Sequence, residues 1–339
     1  ATDNLIAVSG NVGASGKLLK VVNILSDDTA SDANEASIGG NIFATTINAT
    51  ATVTSSDTVE FAGTVNGTTV NLLGAGATSF LGDVTSNVVF GAGASTTGTA
   101  TVAADKKIVG AVTTATTDQG TLTFAATTAN TTLASSTIGA TAKLLEVVNV
   151  TSTANTATLA GNVFATTVTA TATDATGSDS IAFGGSVTGD TLTLVGTGTF
   201  KFDDVVTTAV DANLIDGAKI ILTKGIASGD TVFAATQAAT ALAGASVGAV
   251  VVTMPETLNT GSINFIDYVG ATTGAADAAL LTVGNSKLAT YAAAIGSDST
   301  IAKITATAKS AATIASELSI TTDQANALYN ATTSAAGTA

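Results

Sequence analysis

The chain has 339 residues and a formal charge of -14, from 25 acidic residues and 11 basic residues that are all lysine. It contains no histidine, cysteine or tryptophan. The missing residue types exclude histidine-based triads, histidine zinc sites and thiol redox pairs. The negative charge opposes nucleic acid and anionic membranes as partners. We therefore predict a protein that is not an enzyme, although a Ser/Lys pair or paired carboxylates would still allow catalysis.

Membrane insertion is not expected either. The mean hydropathy of +0.48 comes mostly from alanine and valine. The longest nearly apolar run, 241–254, is broken by glycine and ends at Pro255, which makes it shorter than the roughly 20 residues of a spanning helix. The start of the chain, at residues 1–5, lacks the basic and apolar features of a secretory signal.

A long internal duplication organises the sequence. Three pairs of segments align, namely 12–24 with 138–150, 40–52 with 161–173, and 57–70 with 179–192. Within both copies an apolar residue alternates with a small polar one, which is typical of strands with one buried face. An internal repeat is the first feature to interpret, because it is the sequence signature of repeat architectures.

A shorter sequence motif recurs inside each copy: an apolar residue, any residue, glycine, any residue, then valine or isoleucine. Its glycine slots are Gly10, Gly40, Gly63, Gly82, Gly110, Gly161 and Gly185, with Ser136 and Asp204 in weaker versions. The mean interval of about 24 residues matches one coil of a β-solenoid, so the duplication would repeat about five coils.

We predict an all-β, repetitive, β-solenoid-like fold, a parallel β-helix, with a mixed, partly helical C-terminal segment. The predicted division is a first β block over 1–120, a second over 121–235, and a β/α segment over 236–339. The alternative is a pair of tandem β-sandwich domains. In the last segment the pattern favours short helices after residue 275 and a final helix over 323–329 capped by Thr322.

Calcium is the only metal that the composition favours, because carboxylates and carbonyls are its natural ligands. The weak candidate ligands are Asp27, Asp28 and Asp32 in one acidic cluster and the pair Asp203 and Asp204. No calcium-binding nonapeptide or EF-hand loop is present. Solvated loop carboxylates are the competing interpretation, and no other cofactor is expected.

Four phrases, at 80–84, 105–114, 119–124 and 138–145, carry a resemblance to a known family. They resemble the passenger repeats of rickettsial-type surface antigens, which are autotransporter and surface-layer-forming proteins. The resemblance covers roughly residues 1–235. It implies an extracellular or cell-surface location and a role in surface-layer structure. No membrane β-barrel with aromatic girdles is recognisable in the sequence.

The leading functional prediction is a secreted structural protein that assembles with copies of itself into a surface layer or filament. The strand-like 5–8 segment has no evident polar cap, so we expect head-to-tail addition. The alternative is an adhesin passenger that binds host-surface or cell-envelope glycans or proteins. Its candidate contacts are Tyr268, Tyr291 and the pair Lys106 and Lys107, for which packing and a solvated turn are the competing roles.

Overall fold

A computed structural model describes residues 4–26, 34–52, 57–91, 98–174, 178–214, 219–223, 226–235, 250–268, 279–295 and 301–336. These residues form a parallel β-solenoid that ends in antiparallel strands and two helices, which confirms the predicted fold class. The tandem-sandwich alternative is wrong, because parallel sheets run through both repeat blocks without interruption.

The described strands of the first block are three to ten residues long. They are β1 Asn4–Val8, β2 Leu19–Ser26, β3 Asn34–Ile38, β4 Ile42–Ala51, β5 Thr58–Phe61, β6 Val65–Leu73, β7 Ala77–Phe80, β8 Asn87–Phe90, β9 Thr99–Val102 and β10 Val112–Thr114.

The second block and the region after it continue the series. The strands are β11 Thr121–Ala126, β12 Thr131–Ala134, β13 Leu145–Ser152, β14 Thr156–Leu159, β15 Val163–Ala172, β16 Ser180–Phe183, β17 Val187–Val195, β18 Thr199–Phe202, β19 Val206–Leu214, β20 Lys219–Leu222, β21 Thr231–Ala235, β22 Val250–Thr253, β23 Gly261–Tyr268, β24 Leu281–Gly284, β25 Ala289–Ile295 and β26 Ile301–Ala308. The helices are α1 Ala311–Leu318 and α2 Thr322–Ala336.

The strands form one sheet of 14, one of seven and one of five strands. The 14-stranded sheet runs from β1 to β23 with every neighbour parallel, and then adds β26 and β25. Isolated bridges extend the two smaller sheets along the solenoid, so that three columns of paired residues follow its length. Each coil therefore presents three faces around a single core.

The register of the paired strands gives the number of residues per coil. From Ala36 to Leu192, seven successive parallel pairings cover 156 residues, about 22 residues per coil. Alternate residues along the strands are buried, as in the pattern of β15, where the inward residues include Val168 and Ala170. Small and branched apolar side chains thus stack along the axis, with strands about 4.8 Å apart.

The two sequence copies occupy different faces of the solenoid. Five pairings lead from Ile42 to Leu159 in one column. The sequence equivalent of Ile42, however, is Val163, which pairs with Ile138 in the neighbouring column. The duplication therefore advances the chain by five coils and one additional face, instead of a whole number of coils.

This phase shift splits the predicted glycine series into two corner ladders. In the first block, Gly63 lies on Gly40, and a Cβ added to Gly63 would lie 2.4 Å from the Gly40 carbonyl oxygen. In the second block, Gly161 lies on Ser136, and its added Cβ would lie 2.5 Å from the Ser136 carbonyl carbon. Glycine is required at these corners because consecutive coils bring their backbones into contact there.

Aromatic stacking is duplicated with the sequence. The rings of Phe61 and Phe80 stack at 5.3 Å between centroids, and those of Phe183 and Phe202 at 5.2 Å. All four side chains are at most 1% exposed. The two pairs lie on different sheets, because Phe61 belongs to the 14-stranded sheet and Phe183 to the seven-stranded one.

The segment after residue 275 differs from its prediction. Residues 279–280 are helical, but Leu281–Gly284 and Ala289–Ile295 are strands, so the helical prediction is wrong over these two stretches. Their apolar residues are needed to extend the sheets, and this tertiary demand overrides the helical preference of alanine. After these strands, the next helix of the described chain begins at Ala311.

The helix caps are local and polar. Ser310 caps α1 by accepting the backbone N–H of Thr313 at 3.1 Å. Thr321, and not the predicted Thr322, caps α2: its hydroxyl accepts the N–H of Gln324, whose side chain accepts the N–H of Thr321. This reciprocal pair is a capping box. The helix extends to Ala336, beyond the expected end.

We predict that Gly161→Ala lowers the free energy of unfolding by about 1–3 kcal/mol, because the new methyl group would overlap the Ser136 backbone. Gly284→Ala is the matched control, since an added Cβ there meets nothing within 4 Å. Urea unfolding followed by circular dichroism would measure both midpoints. Equal midpoints for the two variants would contradict the corner-contact argument.

Candidate functional site

Exposed large apolar side chains are concentrated on the first coil. Elsewhere in the described chain such side chains occur singly, as at Leu81 and Val109. We call the first-coil cluster the N-terminal apolar patch; it consists of Leu5, Ile6, Val8, Leu18, Leu19, Val21 and Leu25. Exposed apolar side chains that are grouped on one coil are candidates for an interaction site.

The register shows why part of this patch is unusual. Ile6 pairs with Ala36 and Val8 with Ile38, and both partners are buried core residues. Ile6 and Val8 therefore occupy core positions of the coil, yet they are 65% and 42% exposed. Leu19, whose partner Ala44 is fully buried, is likewise 42% exposed. These are inward positions of a coil that, among the described residues, pairs with a neighbouring coil on one side.

The first coil has no net positive charge in the sequence. Lys17 and Lys20 lie within residues 4–26, and Asp3, Asp27, Asp28 and Asp32 flank them. The N-terminal apolar patch is therefore distinguished by its exposed apolar side chains and not by its charge.

Of the five calcium candidates, the structure describes Asp203 and Asp204. Asp27, Asp28 and Asp32 lie outside the described residues. Asp203 and Asp204 are exposed in the turn between β18 and β19. The Asp203 carboxylate accepts the Thr223 hydroxyl hydrogen, and Asp204 accepts its neighbour's backbone N–H at 2.8 Å. In the described chain, no three acidic side chains form a group that could hold a metal ion.

Two aspartates that the sequence pattern did not single out are buried. Asp57 and Asp179 are equivalent in the duplication and are 1% and 0% exposed. A carboxylate oxygen of Asp57 accepts the Thr52 hydroxyl at 2.8 Å, and one of Asp179 accepts the Asp174 N–H at 3.0 Å. Each carboxylate therefore bonds the residue five positions before it, at the start of a short strand. Their burial was not predictable, since aspartate is ordinarily exposed.

The adhesin candidates fall into three cases. Tyr291 is 8% exposed, and its hydroxyl donates to the Leu258 carbonyl at 2.9 Å, so it is a packing residue. Burial raises the pKa of this hydroxyl. Lys106 is exposed and Lys107 half-buried at a corner turn. The side chain of Tyr268 lies outside the described residues.

A polar pocket of about 290 Å³ lies between the ends of β22 and β24 and helix α1. Its polar lining includes Glu256, Asn285, Ser286, Lys287, Lys309 and Glu317. Lys309 Nζ and Glu317 Oε2 form an ion pair at 2.7 Å, and the Lys309 side chain is only 9% exposed. The pocket thus offers both hydrogen-bond donors and acceptors around a charge pair that is already neutralised.

Asp105 holds a corner of the solenoid. It has a left-handed backbone with φ of 60°. One carboxylate oxygen accepts the Thr127 N–H at 2.9 Å, and the other accepts both the hydroxyl and the N–H of Thr128. The Thr128 hydroxyl bond is the main cause that lowers the pKa of Asp105 from 3.8 to about 2, assisted by the backbone N–H groups.

Searches against known protein families, curated proteins and solved structures gave no match for this chain. In the part of the chain that the structure describes, no helix has both the length and the apolarity needed to cross a bilayer.

Asp105 predicts a pH dependence of stability. Because its folded pKa of about 2 lies below the ordinary 3.8, the ionised carboxylate stabilises the fold above about pH 4, and this contribution is lost as pH falls through about 2. We expect Asp105→Asn to be less stable than the natural chain at pH 5 and nearly equal to it at pH 2. Asparagine keeps the tolerance for a left-handed backbone.

Urea midpoints across this pH range would measure the effect, with Asp190→Asn on β17 as the control. A constant difference between the natural chain and Asp105→Asn from pH 5 to pH 2 would show that the carboxylate charge is unimportant.

Proposed function

We propose that this protein is an extracellular structural protein whose copies assemble through the N-terminal apolar patch into a surface layer or filament. The observation that best supports this proposal is the exposure of core positions on the first coil, above all Ile6, whose side chain is 65% exposed. Its register partner in the adjacent coil is buried. A surface that continues the pattern of the core is completed by another β-structured surface.

The energetics favour covering this coil. Full burial of one aliphatic side chain contributes about 1.5–3 kcal/mol. The patch holds seven large aliphatic side chains that are 42–65% exposed. Several such side chains on one surface can offset the entropy lost on association.

The net charge acts in the opposite direction. A charge of -14 makes copies of the chain repel one another at low ionic strength. At about 0.15 M salt the Debye length is near 8 Å, so repulsion between distant faces is largely screened while contact at the end coil is retained. Assembly that strengthens with added salt is therefore the expected behaviour.

The proposed location rests on the sequence. The resemblance to passenger repeats of surface antigens supports a cell-surface role, and the absence of cysteine from the 339 residues agrees with exported bacterial proteins that cross membranes unfolded. In this setting a rigid solenoid serves as a building element, and its function is mechanical rather than catalytic.

We expect the double variant Ile6→Asp, Val8→Asp to remain monomeric at concentrations where the natural chain forms large particles, because two carboxylates would be desolvated at the contact. Sedimentation velocity and electron microscopy across salt and calcium concentrations would measure particle size. Leu81→Asp, at a side chain 41% exposed but alone, is the matched control and should assemble normally.

If the natural chain stays monomeric under all these conditions, the proposed assembly is wrong. A control variant that fails to assemble as completely as the double variant would show that the effect is not local to the patch.

The polar pocket favours a second candidate, an adhesin that binds glycans. Its amide, hydroxyl and charged groups suit sugar hydroxyls, and Lys287 at its rim is exposed. We expect Lys287→Ala to weaken binding on a glycan array by about three- to tenfold, the effect of one lost hydrogen bond. Lys201→Ala on β18, with the same change of charge, should bind unchanged. An array with no bound glycan would exclude this candidate.

A further inference from the structure

One outer face of the solenoid has two uncharged columns that cross six consecutive strands. The 14-stranded sheet joins β7, β9, β11, β13, β15 and β17 in parallel register. On each strand, two residues flank a buried one and therefore point away from the core. The first column of these residues is Ala77, Thr99, Thr121, Val147, Thr167 and Thr191. The second is Ser79, Thr101, Thr123, Asn149, Thr169 and Thr193.

We call these twelve residues the threonine face, because eight of them are threonine and none is charged. None of the twelve is buried. Acidic residues stand at its margins. In the register, Glu60 precedes the second column and Asp211 follows the first, while Glu146 and Asp190 lie one position before the first column on β13 and β17. A centre without charge inside a polar rim is the composition of protein–protein interfaces.

The size of this face is close to that of a stable interface. Its six strands are four to ten residues long. Each residue covers about 3.3 by 4.8 Å of a sheet, so the strands present a planar area of about 650 Å². A standard interface buries roughly 800 Å² per partner. Because protruding side chains raise the accessible area above the planar value, the threonine face approaches the size that such an interface needs.

The face is also ordered before any contact is made. Nine of its twelve residues are threonine or valine, and a β-branched side chain has few χ1 rotamers to lose on burial. Neighbouring coils carry equivalent side chains in nearly the same orientation, since the rings of Phe61 and Phe80 on β5 and β7 are 7° from parallel. Side-chain stacking of this kind is what stabilises flat sheets of many strands.

The net charge decides which partner such a face fits. Each copy carries -14, so contact between two charged acidic surfaces costs free energy. The outward positions of the seven-stranded sheet include Lys201 and Lys219, so that sheet is not neutral. Two threonine faces, by contrast, meet without opposing charges at their centres. A second copy therefore supplies a surface that is uncharged, flat and of the same size.

From these observations we propose that the threonine face binds the threonine face of a second copy, with the two sheets about 10 Å apart. Both copies use the same surface, so the contact is isologous and closes at two copies. This side-by-side pairing goes beyond the proposed assembly through the N-terminal apolar patch and uses a separate surface. The face has none of the aromatic or arginine anchors of tight interfaces, so pairing requires a higher protein concentration than assembly through the patch.

The test uses the full chain with Ile6→Asp and Val8→Asp as its background, because these changes remove contact through the patch. Sedimentation equilibrium is measured at increasing protein concentration, beyond the range in which the natural chain assembles. We expect the average mass to rise from one chain toward two chains and no further. Added salt should raise the fraction of dimer, because it screens the acidic margins of the two faces.

Adding Thr123→Glu and Thr169→Glu to this background should weaken pairing at least about tenfold, because four carboxylates would then oppose one another. The matched control is Thr132→Glu with Thr158→Glu, at register partners outside the seven-stranded sheet, which should pair like the background. Lysine at positions 123 and 169 should also prevent pairing. An equimolar mixture of the glutamate and lysine variants should restore the dimer, which a misfolded variant could not do.

Other outcomes overturn the pairing. A background chain that is monomeric at every concentration has no such contact, and a dimer that the glutamates leave unchanged uses another surface. Particles larger than a dimer would show that the contact is not isologous. A monomeric chain that is retained on microcrystalline cellulose or in growing ice, and is released by the glutamates, would make a solid neutral surface the partner of this face. The patch is tested separately, by assembly of the natural chain.

Discussion

Every coil of the solenoid has to present the same inward positions to the coils above and below it, because each residue packs on its register partner about 4.8 Å away. This single requirement explains the repeated burial along the columns and the two stacked phenylalanine pairs, at 5.3 and 5.2 Å. It also explains the glycine ladders, since a corner such as Gly63 on Gly40 brings backbone against backbone. Composition follows from stacking, with alanine, valine and threonine as the residues that fit a thin repeating coil.

Stacking has no natural end, so the two ends of a solenoid need separate solutions. At the C-terminal end the direction of the chain reverses at β26, and two helices pack on the segment that contains Leu288. At the first coil, core positions such as Ile6 remain exposed.

The duplication shows how a repeat can be moved without loss of the core. A shift of five coils and one face places Phe61 and Phe183 on different sheets, yet both are buried and stacked. The three faces are nearly equivalent as packing surfaces, because each needs the same alternation of small apolar and polar residues. The polar residues at the corners are not equivalent. At one corner, the Asp105 carboxylate accepts the backbone N–H groups of Thr127 and Thr128.

The sequence alone determined the coil. Its alternating pattern and glycine spacing were sufficient for the parallel solenoid, because the period of two and the corner contacts are local properties that each residue must satisfy. The strand at Asn4–Val8 was also predictable from its apolar residues 5–8. The burial of the aspartates could not be predicted from the sequence. The acidic pair Asp203 and Asp204 was conspicuous but is exposed in a turn, whereas Asp57 and Asp179 are buried.

Only the tertiary structure decided the remaining features. The face that each copy occupies depends on the summed lengths of all preceding strands and loops. Small differences in these lengths accumulate and move a strand from one face of the solenoid to the next. The strands at Leu281–Gly284 and Ala289–Ile295 depend on sheets already formed by distant residues, which override the local preference of alanine for helix. The direction of β25 relative to β1, and with it the polarity of the molecule, arises from two antiparallel pairings that no local pattern records.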